Sequence, residues 1–174
     1  MYLKKGVYVA LVTPFTKDNE VCFNTLKTLV DFHITSGTTG LVLLGTTGEA
    51  PALSTGEKCQ IVKFVYTIAE KKIDVVVGVG GNNTKEVIDF IYYCNSFADA
   101  LLVTVPNYNR PTQDGIYCHF EEIAKKTSLP IMMYNIPSRC GVNMEPETIA
   151  KLNKIENIVA IKEASGSISQ LQEI

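Results

Sequence analysis

The sequence predicts an α/β fold in which short parallel strands alternate with covering helices. Three observations carry that reading. Short β-branched runs of strand length alternate with longer stretches of helical periodicity along the chain. The strand runs are almost wholly apolar, as in Val75-Val76-Val77, Leu101-Leu102-Val103 and Ile158-Val159-Ala160-Ile161. They lack in/out alternation, which fits strands covered on both faces. Successive runs begin roughly 30 residues apart, the length of one βαβ unit.

The first strand is expected over residues 7–13. Lys4 and Lys5 precede it, but the run is short for a signal peptide and Thr13-Pro14 interrupts it. Further strands are expected over 40–45, 73–79, 99–105, 130–135 and 157–162. The helices between them are expected over 24–36, 54–71, 84–96, 113–127 and 146–154, with a last one starting near Ser167. Ser54-Thr55-Gly56-Glu57 reads as a capping box, in which hydroxyl and carboxylate satisfy each other's exposed amides. Asn83 or Thr84 can cap the third helix, and Pro146 sits where a first turn tolerates proline.

Composition narrows the functional classes. The 174 residues carry 16 Lys+Arg against 18 Asp+Glu, with 46% hydrophobic and 20% charged residues. That is the make-up of a globular protein rather than a disordered one. A mildly acidic balance without a basic block argues against nucleic acid or an anionic membrane as a partner. No apolar stretch approaches the ~18 residues of a membrane span. The five cysteines are odd in number and form no C-x-x-C pair, so a disulfide framework or a zinc site is not expected. They read as small buried thiols in a reducing cytoplasm. His33 and His119 have no clustered partners, and no metal is expected. Gly78-Val79-Gly80-Gly81 follows the third strand, but Asn83 stands where G-x-G-x-x-G needs its last glycine. A strand-to-helix turn explains these glycines better than a dinucleotide, and no cofactor is expected.

Six βα units fit either a doubly wound open sheet or part of a (β/α)8 barrel. The polar residues favour the barrel. Each apolar run ends in small, hydroxylated or ionisable residues: Thr13; Thr46-Thr47; Gly80-Gly81-Asn82; Asn107-Tyr108-Asn109-Arg110; Tyr134-Asn135 with Arg139; and Lys162-Glu163. In a barrel these ends meet at one rim, where barrel active sites lie. In an open sheet they would spread along an edge.

Lys162 closes an apolar run, and burial there would favour a neutral amine able to form a Schiff base with a ketone. A phenol such as Tyr134 beside it could shuttle protons. Gly45-Thr46-Thr47-Gly48-Glu49 offers hydroxyls and closely spaced amides for a small carboxylate. Arg139 could clamp a second carboxylate. Taken singly, each has a plainer reading: a solvated lysine, a core tyrosine, a glycine-framed turn and a surface ion pair.

Taken together, the order and spacing of Gly45-Thr46-Thr47-Gly48-Glu49, Tyr108-Asn109-Arg110-Pro111, Tyr134-Asn135-Ile136-Pro137-Ser138-Arg139 and Ile161-Lys162-Glu163-Ala164-Ser165 resemble the dihydrodipicolinate synthase family. The resemblance implies a TIM barrel of the class I aldolase type. It implies a lyase of lysine and diaminopimelate biosynthesis that condenses pyruvate with L-aspartate 4-semialdehyde. Lys162 matches the Schiff-base lysine, and Tyr134, Thr46 and Tyr108 match the proton-relay residues. Thr47 matches the residue that holds the pyruvate carboxylate, and Arg139 the one that receives the semialdehyde carboxylate. The resemblance also implies a homo-oligomer, a tight dimer paired into a dimer of dimers, in which the residue matching Tyr108 reaches the neighbouring subunit's site. Sister branches, the N-acetylneuraminate lyases and ketodeoxygluconate aldolases, share the lysine and tyrosine; Arg139 and the Tyr108 stretch favour the synthase. The reading from another class is a non-catalytic α/β binding module.

Two departures accompany the resemblance. Asn107 stands where the family often has a second tyrosine, and the chain stops just after the sixth strand. Residues 1–174 are therefore expected to form a single catalytic barrel domain, shortened at its C-terminal end, with unpaired edges at the first and sixth strands. Some members bind L-lysine between subunits, at positions matching Ala50, Thr55, Lys58, Asn82, Glu86 and Asn107. Lys58 adds a like charge there, so weak or absent inhibition is expected.

Overall fold

The computed structural model describes residues 3–174. Parallel strands β1 (Tyr8–Ala10), β2 (Gly40–Leu43), β3 (Asp74–Val79), β4 (Ala100–Thr104), β5 (Ile131–Asn135) and β6 (Ile158–Glu163) form one sheet. The helices are α1 (Phe23–Thr35), α2 (Thr55–Ala69), α3 (Thr84–Cys94), α4 (Gln113–Ala124), α5 (Pro137–Cys140), α6 (Pro146–Leu152) and α7 (Ile168–Glu173). The spatial strand order is the chain order, β1 to β6. A doubly wound sheet reverses its order at a switch point. No reversal occurs here, and the sheet is a half-barrel with helices on one side.

The two faces bury different clusters. On the helix side, Leu41, Leu43, Val75, Val77, Leu101, Val103, Ile131 and Met133 pack with helix residues such as Val30, Val62, Ile91, Phe120 and Leu152. On the inner side, Val42, Val76, Ala100, Leu102 and Tyr134 form a smaller cluster. Alternation is thus present in space and invisible in sequence, because both faces are apolar.

The strands are shorter than the apolar runs. β1 keeps three residues of the seven expected. Pro14 follows, and Thr13 turns its hydroxyl into a buried 2.7 Å bond to the Gly48 carbonyl. α2 stops at Ala69, two residues early, because Glu70 and Lys71 both take positive φ, 48° and 60°. The capping box forms: Ser54 N donates to Glu57 at 2.8 Å, and Glu57 N donates to Ser54 Oγ at 3.3 Å. Asn83 rather than Thr84 caps α3, its side chain accepting from Lys85 N at 3.0 Å. Thr84 instead meets His119 of α4, Oγ1 to Nδ1 at 2.9 Å. His119 is buried, and its Nε2 makes no hydrogen bond among the described residues. α5 was not anticipated by periodicity; Pro137 starts it.

The β5–β6 ladder holds the feature on which the site depends. Ile131 pairs with Ile158, but Met132 pairs with Ala160, so β6 carries one extra residue, Val159. Such a bulge exchanges the faces of everything that follows. Ile158 lies on the helix side, yet Ala160 and Lys162 come to the inner side opposite Met132 and Tyr134. Ile161 and Glu163 go outward, opposite Met133 and Asn135. The dry strand expected around Lys162 is not found. Only Ile158 of β6 is fully buried, since β6 is an edge strand paired with β5 alone among the described residues.

Candidate active site

The ends of β2, β3, β4 and β5 meet around a cavity of about 910 Å³, while the Thr13 and Lys162-Glu163 ends expected at the same rim do not line it. Thr46, Gly78, Gly80, Thr104, Tyr134 and Arg139 are among its lining residues. Each is brought there by a local device. Leu44 takes φ 55° and turns the chain out of β2 into residues 45–49. That turn lies directly against β3: a Cβ on Gly78 would stand 2.5 Å from the Leu44 carbonyl oxygen. Gly48 is constrained less severely, with a built Cβ 3.1 Å from Leu11 O and 3.2 Å from Leu44 N. The Thr13 hydroxyl fastens the same loop from β1. Glycine at 48 and 78 and a short side chain at 13 therefore set where Thr46 sits. Thr13, read from sequence as a rim residue, acts here as a loop clamp.

Tyr134, 5% exposed, lines the cavity, and Lys162 is not among its lining residues. The Lys162 Nζ stands 4.2 Å from the centre of the Tyr134 ring, close enough for a cation–π contact. The two are direct cross-strand partners. Arg139, on α5, reaches the cavity from a solvent-exposed position. The structure thus assembles Thr46, Tyr134 and Arg139 around one space, with Lys162 against the tyrosine. Thr47 is exposed and does not line this cavity. Tyr108 stands apart as well. It is 85% exposed, and its backbone is held at φ 65°, with Arg110 nearby at φ 50°. For residues other than glycine that conformation costs about 1 kcal/mol or more.

Behind the Tyr134–Lys162 pair lies a polar network. Glu163 accepts from Asn135 Nδ2 at 2.9 Å, Gln170 Nε2 at 3.0 Å and Ser165 N at 2.6 Å. Burial pushes the Glu163 carboxyl pKa up, but the bonds from Asn135, Ser165 and Gln170 outweigh it and leave the pKa below its ordinary value. Asn143 joins the network through Asn135 and Gln170. Sequence reading placed Asn135 and Glu163 at the rim and missed Asn143, which lies outside any periodic stretch, and Gln170, which lies in the expected last helix but beyond the strand-end motifs.

Similarity to known proteins agrees with this arrangement. The family model described as the dihydrodipicolinate synthetase family matches residues 3–174. The chain belongs to that family. Among curated relatives, the 4-hydroxy-tetrahydrodipicolinate synthase of Azobacteroides pseudotrichonymphae genomovar. CFP2 is 53% identical over 170 residues, covering 96% of this chain and 57% of the relative. The synthase of Syntrophobacter fumaroxidans is 47% identical, covering 98% and 58%. Dihydrodipicolinate synthase from Aquifex aeolicus superposes with a TM-score of 0.94 at 41% identity, covering 97% of this chain and 58% of that one. The chloride-inhibited synthase from Acinetobacter baumannii, crystallised with pyruvate, gives 0.92 at 42% identity, covering 95% and 57%. The chain therefore spans somewhat under three fifths of the length of the relatives it matches. Within the family frame, Ala50, Lys58, Asn82, Glu86 and Asn107 line the same cavity, while Thr55 lines an adjoining one of about 390 Å³ with Lys58 and Glu86. No helix among the described residues is long and apolar enough to cross a membrane.

Proposed function

We propose that this chain carries the imine-forming site of a 4-hydroxy-tetrahydrodipicolinate synthase, acting in the cytoplasm on pyruvate and L-aspartate 4-semialdehyde. The observation that carries the reading is the Lys162–Tyr134 contact, Nζ to ring centre 4.2 Å, at the rim of a cavity that also holds Thr46 and Arg139. The neutral Lys162 amine attacks the pyruvate ketone carbon, and loss of water leaves a C=N bond to the lysine. Tyr134 passes the protons that this dehydration needs. Loss of a methyl proton converts the imine to an enamine, whose carbon attacks the semialdehyde's aldehyde carbon while the aldehyde oxygen takes up a proton. Thr46 relays protons with Tyr134, Thr47 holds the pyruvate carboxylate, and Arg139 receives the carboxylate of the second substrate.

Tyr108 completes the relay from a neighbouring copy in a homo-oligomer. Its exposure and strained backbone support that role, since the 85% exposed ring, held at φ 65°, makes no side-chain hydrogen bond among the described residues and only the backbone N–H is tied, to the Cys140 carbonyl at 3.3 Å. The whole of residues 1–174 acts as one catalytic unit in this reading. The test is borohydride trapping of the native protein with pyruvate, followed by peptide mass spectrometry. One reduced pyruvate adduct on Lys162 is expected; an adduct of equal yield in Lys162→Ala would overturn the assignment.

A further inference from the structure

We propose that Glu163 is a positioning residue for the reacting lysine, an inference that rests on the imine reading above. Tyr134–Lys162 and Asn135–Glu163 are consecutive cross-strand pairs on opposite faces of the sheet. The first pair lies on the inner side of the sheet, where Tyr134 lines the cavity. The second is its backing, and its hydrogen bonds decide how the first is held.

Three N–H donors converge on the Glu163 carboxylate, from β5, from α7 and from the turn after β6. Asn135 is fully buried, and with Nδ2 committed to Glu163 its Oδ1 is left to accept from Met144 N at 3.0 Å. Asn135 Nδ2 also donates to Asn143 Oδ1 at 2.9 Å, and Asn143 Nδ2 donates to Gln170 Oε1 at 2.7 Å. The carboxylate thus sets the direction of every amide in the ring, because it can only accept. Charge-assisted bonds in a partly buried setting are the strong ones. Through them one side chain joins the β5 end bearing Tyr134, the β6 end bearing Lys162 and the segment that follows Arg139.

Glutamine at 163 has the same size and shape but turns one acceptor into a donor. Wherever that NH2 points, it meets Ser165 N or the amides of Asn135 and Gln170. Flipping Asn135 to compensate would break its bond to Met144 N. Glu163→Gln therefore disorders the backing without emptying any volume, whereas Glu163→Asp keeps a charged acceptor. Gln170→Met removes only the α7 tie.

Two readouts on the native protein test this. With pyruvate saturating, the borohydride-trapping rate should fall about a hundredfold in Glu163→Gln. KM for pyruvate should hardly move, Glu163→Asp should recover much of the rate, and Gln170→Met should lose far less. A Gln170→Met loss as large as that of Glu163→Gln would reduce the carboxylate to docking α7 and overturn the proposal. The second readout needs no pyruvate. Reductive 13C-methylation should give a Lys162 resonance displaced by the Tyr134 ring current, and that displacement should collapse in Glu163→Gln. An unchanged resonance would overturn the positioning role even if pyruvate is trapped normally. A collapsed resonance in a protein whose wild type never traps pyruvate would support the positioning and sink the imine reading alone.

Discussion

His119 makes the stability of this fold acid-sensitive in a calculable way. Its imidazole is 2% exposed, with Nδ1 on the Thr84 hydroxyl at 2.9 Å and no hydrogen bond at Nε2. Burial lowers its pKa from 6.5 to about 4, outweighing an opposing pull from the Thr104 backbone. The proton is therefore taken up more readily by the unfolded chain. Above pH 6.5 both states are neutral at this group and its full contribution to stability is present. As pH falls the unfolded state gains protons first, and stability is lost until about pH 4, where the loss levels off. The gap between 6.5 and about 4 is worth about 3 kcal/mol when protonation is complete, and about 2 kcal/mol at pH 5. Urea unfolding of the native protein at pH 8 and pH 5, wild type against His119→Met, isolates this group because carboxylate contributions cancel between the two proteins. The variant should start lower, having left the Thr84 hydroxyl without its partner, and should then lose about 2 kcal/mol less than wild type between the two pH values. Parallel losses would refute the reasoning and mean that the imidazole is solvated or paired in the native state.

Arg139 lines the cavity from α5, whereas Lys162 is carried by β6. Arg139→Ala should still be trapped by pyruvate while turnover with aspartate semialdehyde falls ten- to a hundredfold, the loss of about 1.5–3 kcal/mol for a charge-assisted carboxylate contact; steady-state rates with each substrate varied will check this, and faster turnover of N-acetylneuraminate would count against the synthase reading. Lys58 lines the cavity beside Glu86 and Asn82 and should repel a cationic amino acid. Initial rates against rising L-lysine should show weak inhibition or none, and strong inhibition at sub-millimolar lysine would contradict this.

The fold class was legible because strand-length apolar runs and helical stretches differ in period, and because polar residues cluster where each run stops. The choice of barrel over open sheet came from the polar strand ends and the family resemblance, not from any one apolar run. Strand order, which here never reverses, agrees with it. The two faces of each strand were unreadable, since Val75, Val76 and Val77 look alike in sequence while pointing to different clusters. α5 escaped because four residues are too few to show a helical period. Of the site, Tyr134, Lys162, Thr46 and Arg139 could be found as polar residues at strand ends. Their mutual arrangement could not, because it follows from a bulge that leaves no signature in Ile158-Val159-Ala160-Ile161. The amides of Asn143 and Gln170 acquire meaning only when α7 folds back against β5 and β6.

The extra residue in β6 makes the chemistry of the site a matter of parity. Counting by twos from Ile158, a helix-side residue, puts position 162 among the helices; counting with Val159 set aside puts it beside Tyr134. Whether the amine lies beside Tyr134 or in the helix layer is thus decided by an odd or even number of residues in this stretch. Substitutions among Val159, Ala160 and Ile161 leave that count intact. Losing any one of the three would keep the lysine in the chain and a strand in the sheet, yet turn the lysine away from Tyr134. Shortening this stretch by one residue is therefore a more damaging event than most exchanges of one apolar residue for another.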